Sequence, residues 1–494
     1  MPIHTEADGR AATAPRRELT LFDSVCVIVG IIVGAGIYQS SPFIASCVPR
    51  AATLVAKLPA GAVRDFIALH VPDGAVLIGV WLLGGVLSLI GAACYAELAS
   101  AYPQDGGDYV YLTRGLGRPV GFLFAWSQLW IVRPVSIGAL AFVFAEHFKE
   151  LIPVAQGTVH TLLYAAGAVV ALTAINILSV REGKLTQNIL TSLKVLGLAI
   201  IGIAAFLPVA APASVPVIAG SRSPATDISL ALIVVLFTYG GWNEMGYVAA
   251  EVRRPEKNLL RALLLGTAAV TLIYVLLNVA FVHALGFAGT QASKIIAADV
   301  VTRVAPAWGG RAIAALICIS ALGAVNGTIF TGSRITYAMG TEHPLWAALG
   351  RWNARRGTPV WSLVAQALVT LVLVVGFGRK EGAFERMVQF GAPVAWLFFT
   401  LVGASLFVLR VRDPSAARPY RVTGYPLTPL LFCLSSLYLV YSSLIYAWQQ
   451  KSVEALWSIG VLVVGFVFVL FDRGGIDRKN RYTSLETADR RTSR

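Results

Sequence analysis

Three groups of residues in this chain have the types and spacing to bind or move a small charged solute. The first is Ile32-Val33-Gly34-Ala35-Gly36-Ile37, inside the first apolar segment. The second is Phe237-Thr238-Tyr239-Gly240-Gly241-Trp242-Asn243-Glu244, inside an apolar segment from about Ile228 to Ala250. The third is Lys194, set between Leu193 and Val195 with no acid close by in sequence.

A helix that opens at Gly34, Ala35 and Gly36 exposes backbone amides at the positive end of its second half, which suits a carboxylate. A helix that ends near Phe237 leaves carbonyls at Phe237, Thr238 and Gly240, which suit an ammonium group. Side by side, the two breaks describe a site for the carboxylate and amine of an amino acid. Close helix packing through small residues competes as an explanation for either break alone; two matched breaks favour the site. Phe237, at the end of its half-helix, is placed to act as a gate. Asn243 and Glu244 are polar at span depth, which marks them for function. For Glu244 the alternatives are a place in an inner vestibule or a pairing with a basic residue. Lys194, in mid-span, is expected to face a polar cavity, where its ammonium stands in for a bound sodium ion or couples its protonation to transport. The alternative is a fixed pairing with backbone carbonyls. Arg133, followed by Pro134, is read as a kink packed in the bundle.

The elements that must position these residues are membrane spans. The chain has 494 residues, 56% of them hydrophobic and 13% charged, with mean hydropathy +0.71. That charged fraction is about half of the roughly 25% usual in soluble domains. The net charge of +14 is therefore assigned to topology rather than to nucleic acid. Twelve spans are predicted, near 22–48, 75–100, 119–145, 159–180, 187–208, 228–250, 262–286, 311–339, 360–377, 386–409, 426–447 and 454–471. Lys and Arg favour the side that carries both termini, which places the termini in the cytoplasm. No cleavable signal peptide precedes the first span, which agrees with a cytoplasmic tail over 1–20. The predicted organisation is a core over 21–409, two further spans over 410–471 and a second cytoplasmic tail over 472–494. The loop from Pro49 to Gly74 is long and is read as a spacer or a short surface helix; 291–304 has helical apolar spacing. The five cysteines show no metal or redox spacing, and neither a cofactor nor a nucleophile–base pair is apparent.

The breaks lie in the first and sixth spans, five spans apart, and so run in opposite directions. That is the pattern of two inverted five-span halves. With Gly-Ala-Gly-Ile-Tyr at 34–38, Cys94-Tyr95-Ala96-Glu97-Leu98, Gln104-Asp105-Gly106-Gly107-Asp108-Tyr109, Gln187-Asn188-Ile189 ahead of Lys194, Arg254-Pro255-Glu256-Lys257-Asn258-Leu259 and Val325-Asn326-Gly327-Thr328-Ile329-Phe330, the chain resembles the amino acid–polyamine–organocation superfamily. It is particularly similar to the L-type amino acid transporters and their bacterial relatives, from about Leu21 to Phe471.

The resemblance implies an all-α integral membrane protein with a LeuT-type five-plus-five inverted repeat, broken helices 1 and 6, and two extra helices. It implies sodium-independent alternating access for L-amino acids, neutral ones foremost, across the cytoplasmic membrane, by exchange or with protons. Ile32, Ala35 and Gly36 would meet the substrate through backbone, Phe237 would gate it, Gly240 would contact the amine and Asn243 would support the pocket. Lys194 matches the family's lysine in the fifth span, and Ser320 a small polar residue facing the same place. Two departures stand out. Ala35 replaces a serine, and the segment from Glu146 to His160 lacks the cysteine through which human light chains join a glycoprotein, so no disulfide-linked heavy chain is expected. The alternatives are a cationic amino acid or polyamine carrier with Glu244 as counter-charge, and a nutrient sensor that binds without transporting.

Overall fold

A computed structural model describes residues 16–49, 61, 71–152, 157–208, 228–379, 382–449 and 451–471. The long loop expected as a spacer or surface helix falls almost wholly outside them, as do both tails. Among the described residues every regular element is a helix, and only two isolated backbone bridges occur.

The first predicted span divides into α1 (Leu21–Ile32) and α2 (Gly36–Cys47), bent by 48° at the break. Thr20 starts α1. Its hydroxyl accepts from the Asp23 amide at 3.2 Å, while Asp23 Oδ2 accepts from the Thr20 amide at 2.9 Å. Next come α3 (Ala75–Ala101), the short α4 (Asp108–Gly115) and α5 (Arg118–Leu151). Five residues of α5, Gln128–Val132, form a wider π turn directly before Arg133 and Pro134. Then follow α6 (Thr158–Leu178) and α7 (Val180–Ala204). The sixth predicted span is a helix only over α8 (Ile228–Thr238); beyond it the chain turns tightly over Trp242–Gly246 and Ala249–Glu251.

The remainder is α9 (Pro255–Ala292), α10 (Ile296–Val304), α11 (Gly309–Glu342), α12 (Val360–Gly378), α13 (Ala383–Arg412), α14 (Leu427–Gln449) and α15 (Val453–Phe471). The helical spacing read over 291–304 becomes α10. Among the described residues ten helices are long and apolar enough to cross a bilayer, eleven if α1 and α2 count as one bent span. The sixth predicted span fails that test because its second half is not a long helix.

The broken elements lie in the interior. α1 packs against α7, α9 and α11, and α2 packs along α8. α11 is the most enclosed spanning helix, with 78% of its apolar window buried, whereas α15 has 17%. That contrast places α15 at the periphery, against α13 and the start of α5.

Close approach around the breaks needs glycine. A Cβ on Gly327 of α11 would lie 2.3 Å from Ile31 Cγ1. Gly241, at φ +113°, adopts the left-handed conformation that lets the chain reverse after α8.

Candidate functional site

The two breaks face one cavity of about 660 Å³. Ile32, Gly34, Ala35, Gly36, Phe237, Thr238, Gly240, Asn243 and Glu244 all line it. The cavity reaches from the breaks to Glu146 and Gly382, which are exposed.

On the α1–α2 side, the Gly34 amide is taken: it donates to Ile32 O at 2.8 Å. The amides of Ala35, Gly36 and Ile37 have no backbone acceptor among the described residues. Three donors at the start of α2 thus remain available for an anion. The Ile37 side chain itself is fully buried and lies outside the cavity wall.

On the α8 side, the expected set of unpaired carbonyls is only partly present. Phe237 O accepts from the Gly240 amide at 3.0 Å, because the chain tightens into a turn there. A carbonyl has a second lone pair, so one bond leaves it able to accept again. The Phe237 ring is 48% exposed on the cavity side of α8.

Tyr274, on α9, joins the two breaks. Its hydroxyl donates to Ile32 O at 2.9 Å and lies 3.5 Å from Thr238 O. Gly36 and Thr238 touch directly, since a Cβ on Gly36 would come within 2.8 Å of Thr238 Cγ2.

Lys194 takes the alternative weighed from the sequence, a fixed pairing with backbone carbonyls. It is fully buried and does not line the cavity. Its ammonium donates to Gly30 O at 2.7 Å, Val33 O at 2.9 Å and Ser320 O at 3.1 Å. An ammonium has three donors, and all three are used. The reason is geometric: α1 ends at the break, so its last carbonyls lack helical partners and converge on Nζ. Ser320 adds a second tie, its hydroxyl lying 2.9 Å from the Tyr38 hydroxyl.

The floor of the cavity is polar. Arg133 Nη1 donates to both Glu244 oxygens, at 2.9 and 2.8 Å, and its Nε donates to Gln128 Oε1 at 2.9 Å. The Thr331 hydroxyl donates to Glu244 Oε2 at 2.5 Å. Glu244 is therefore a paired group, and Arg133, directly after the π turn of α5, is that partner. Beside them the Tyr247 hydroxyl accepts from Asn243 Nδ2 at 2.8 Å and donates to Asp108 Oδ2 at 2.7 Å. Tyr95 donates to the same oxygen at 2.9 Å, while Asp108 Oδ1 has no partner among the described residues. Burial pushes the Asp108 carboxyl from 3.8 up to about 7, against the pull of the Tyr247 and Tyr95 hydrogen bonds and the Arg133 charge.

The side on which α1 begins is closed. Leu19 N donates to Glu251 O at 2.9 Å and Arg253 N donates to Leu19 O at 2.9 Å. Beneath that bridge Arg334 Nε donates to Glu251 Oε1 at 2.7 Å, with both side chains buried. Asp23 ties α1 to α7 through Asn188 at 2.7 Å and Lys184 at 3.3 Å.

Sequence reasoning missed Tyr274, Gln128, Thr331 and the part Asp108 plays. Only Asp108 carried a signal, as one of two carboxylates, with Asp105, in the short segment between two apolar spans.

A cavity where two interrupted helices meet is joined by a match to the amino acid permease family model over residues 19–469. The chain belongs to the amino acid permease family. The permease is similar to b(0,+)-type amino acid transporter 1 of Mus musculus, at 29% identity over 97% of this chain and 93% of the relative. It is also similar to large neutral amino acids transporter small subunit 2 of Mus musculus, at 30% identity over 87% of this chain and 77% of the relative. The human counterpart of the latter is 30% identical over 86% of this chain and 76% of its own length. The permease is thus a multi-pass membrane protein that transports amino acids, not an enzyme.

Proposed function

We propose that this permease is a sodium-independent carrier of neutral L-amino acids, working by alternating access as an exchanger or with protons. The observation that carries this reading is the shared cavity of the two breaks, with the free amides of Ala35 and Gly36 on one wall and the α8 carbonyls on the other. The amides take the substrate carboxylate, and Gly240 and the end of α8 take its amine. Phe237 closes over the bound molecule, while Asn243 and Thr238 shape the pocket. Sodium independence follows from Lys194, whose ammonium holds the carbonyls that a metal cation would otherwise need. Neutral side chains are favoured because Glu244 is already neutralised by Arg133.

In this reading both termini are cytoplasmic, and the cavity opens outward while the Leu19–Val252 bridge seals the inner side. Residues 21–409 form the inverted-repeat core, and 410–471 add two peripheral helices. No disulfide to a heavy chain is expected.

A cationic substrate is the second reading, favoured by one observation: Asp108 Oδ1 is buried beside the cavity without a donor. Counterflow in proteoliposomes against a panel of amino acids, with arginine and putrescine included, tests both. Exchange of leucine-like substrates without competition by arginine supports the first. Preferential counterflow of arginine overturns it in favour of the second, and absence of any counterflow overturns both.

A further inference from the structure

A second cavity, of about 240 Å³, lies on the side where α1 begins and is lined by residues from four separate segments. The stretch before α1 supplies Arg16 and Glu18, the start of α7 supplies Arg181, and the loop between α11 and α12 supplies Trp352, Arg355 and Arg356. All four arginines are exposed, and none makes an ion pair among the described residues. Glu251 also borders the cavity, but Arg334 already neutralises it. Four guanidinium groups therefore face one carboxylate without a cation of its own, Glu18.

Such a surplus around a concave site makes a positive potential that draws an anion in. Guanidinium forks match the paired oxygens of a phosphate better than they match water. The charge comes from these side chains rather than from the end of α7, whose first amides are taken by Ser179 Oγ at 3.2 and 3.4 Å. Trp352 contributes a half-buried ring at the rim, the kind of side chain that settles at headgroup depth. Basic pockets between spanning helices are where anionic headgroups dock.

We propose that this pocket binds a phosphate monoester or diester group, carried by an anionic lipid or free in solution, and so ties the segment before α1 to α7 and to the α11–α12 loop. The consequence is specific to the transport cycle. Arg16 lies three positions before Leu19, whose bridge to Val252 must part when this side opens. An anion holding Arg16 against Arg181, Arg355 and Arg356 stabilises the closed arrangement. The inference does not depend on which amino acid is carried.

The test uses the full-length protein in nanodiscs of phosphatidylcholine alone or mixed with phosphatidylglycerol, and separately inorganic phosphate in detergent against potassium chloride of equal ionic strength. Thermal unfolding and hydrogen exchange over 16–20 are read. We expect the anion to raise the unfolding temperature and protect that segment. Each arginine removed weakens the apparent affinity about fivefold, so Arg355→Gln with Arg356→Gln weakens it about thirtyfold. Arg261→Gln, exposed but outside the pocket, keeps the wild-type response. Stabilisation by phosphatidylglycerol alone assigns a lipid headgroup, by phosphate alone a soluble anion, and by both the phosphate group itself. Equal losses in Arg261→Gln and the double variant, or no loss in either, overturn the proposal. If the double variant unfolds in phosphatidylcholine alone, Arg355→Lys, which keeps the charge and loses the fork, takes its place under the same criteria.

Discussion

Arg133 and Glu244 stand 111 positions apart in the chain and meet through two hydrogen bonds of 2.8 and 2.9 Å at the floor of the cavity. One side chain follows the π turn of α5 and the other sits just past the break after α8. The pair therefore fixes the second broken element to a long intact helix. It also sets the charge that a substrate meets at that end of the site.

Breaking the pair on one side leaves a buried carboxylate uncompensated. Arg133→Ala is expected to destabilise the protein by about 3–5 kcal/mol. Arg133→Met combined with Glu244→Leu, which removes both charges, costs less than Arg133→Ala alone. Thermal unfolding in one detergent, with all three proteins compared, decides it; a double variant less stable than the single would sink the assignment.

The contact between Gly36 and Thr238 gives a sterically defined test of the binding site. Gly36→Leu should reduce uptake of radiolabelled amino acid to background. Gly36→Ala should impair it less, because the three atoms nearest its Cβ all belong to Thr238, with Cγ2 at 2.8 Å the tightest. Thr238→Ser removes that methyl, so Gly36→Ala with Thr238→Ser should recover part of the lost activity. Normal uptake by Gly36→Leu would falsify the site assignment.

Lys194→Ala deprives three buried carbonyls of their donor, at roughly 1–3 kcal/mol for each group left unsatisfied. Transport should fall steeply. In the wild type, replacing sodium by choline should leave the initial rate unchanged. A strong sodium requirement would contradict the idea that the ammonium fills the cation position.

Asp108 predicts a pH dependence of known sign. Its folded value of about 7 lies above the ordinary 3.8, so the folded protein binds the proton more tightly than the unfolded chain. The carboxyl therefore opposes folding above pH 7, and that penalty is relieved as pH falls from 7 toward 4. Asp108→Asn should remove this component. The difference in unfolding temperature between wild type and variant, measured across that range, should narrow toward low pH; a constant difference would refute it.

Much of the core was legible because its signals are local. Gly34, Ala35 and Gly36 are adjacent, as are Gly240 and Gly241, and it is their matched placement in two spans that marks the interruptions, since the pair Gly84-Gly85 stays within an unbroken α3. Lys194 was legible as a charge in mid-span. Pairing with backbone carbonyls was one of its two readings, but which carbonyls was not legible, since they look the same at every residue; the structure shows a cage of three of them rather than the polar cavity. Tyr274 gave no sign of itself, because a tyrosine inside a span fits equally well as packing. The Arg133–Glu244 pair depends on the approach of α5 to the chain after α8, which no spacing within either segment encodes. The sixth span was drawn too long for a related reason: hydropathy continues from Ile228 to Ala250, but the chain after Thr238 coils into short turns.

The cage around Lys194 has an electrical consequence. A mobile ion taken up with each substrate would let the membrane voltage work on the cycle, at about 2.3 kcal/mol per charge per 100 mV. Here the cation is covalently part of α7 and is held by Gly30, Val33 and Ser320. A zwitterion exchanged for another zwitterion across such a site moves no net charge. If the permease runs as the proposed exchanger of neutral amino acids, its traffic generates no current and draws no force from the resting potential, so the balance of amino acids on the two sides alone decides which way it runs.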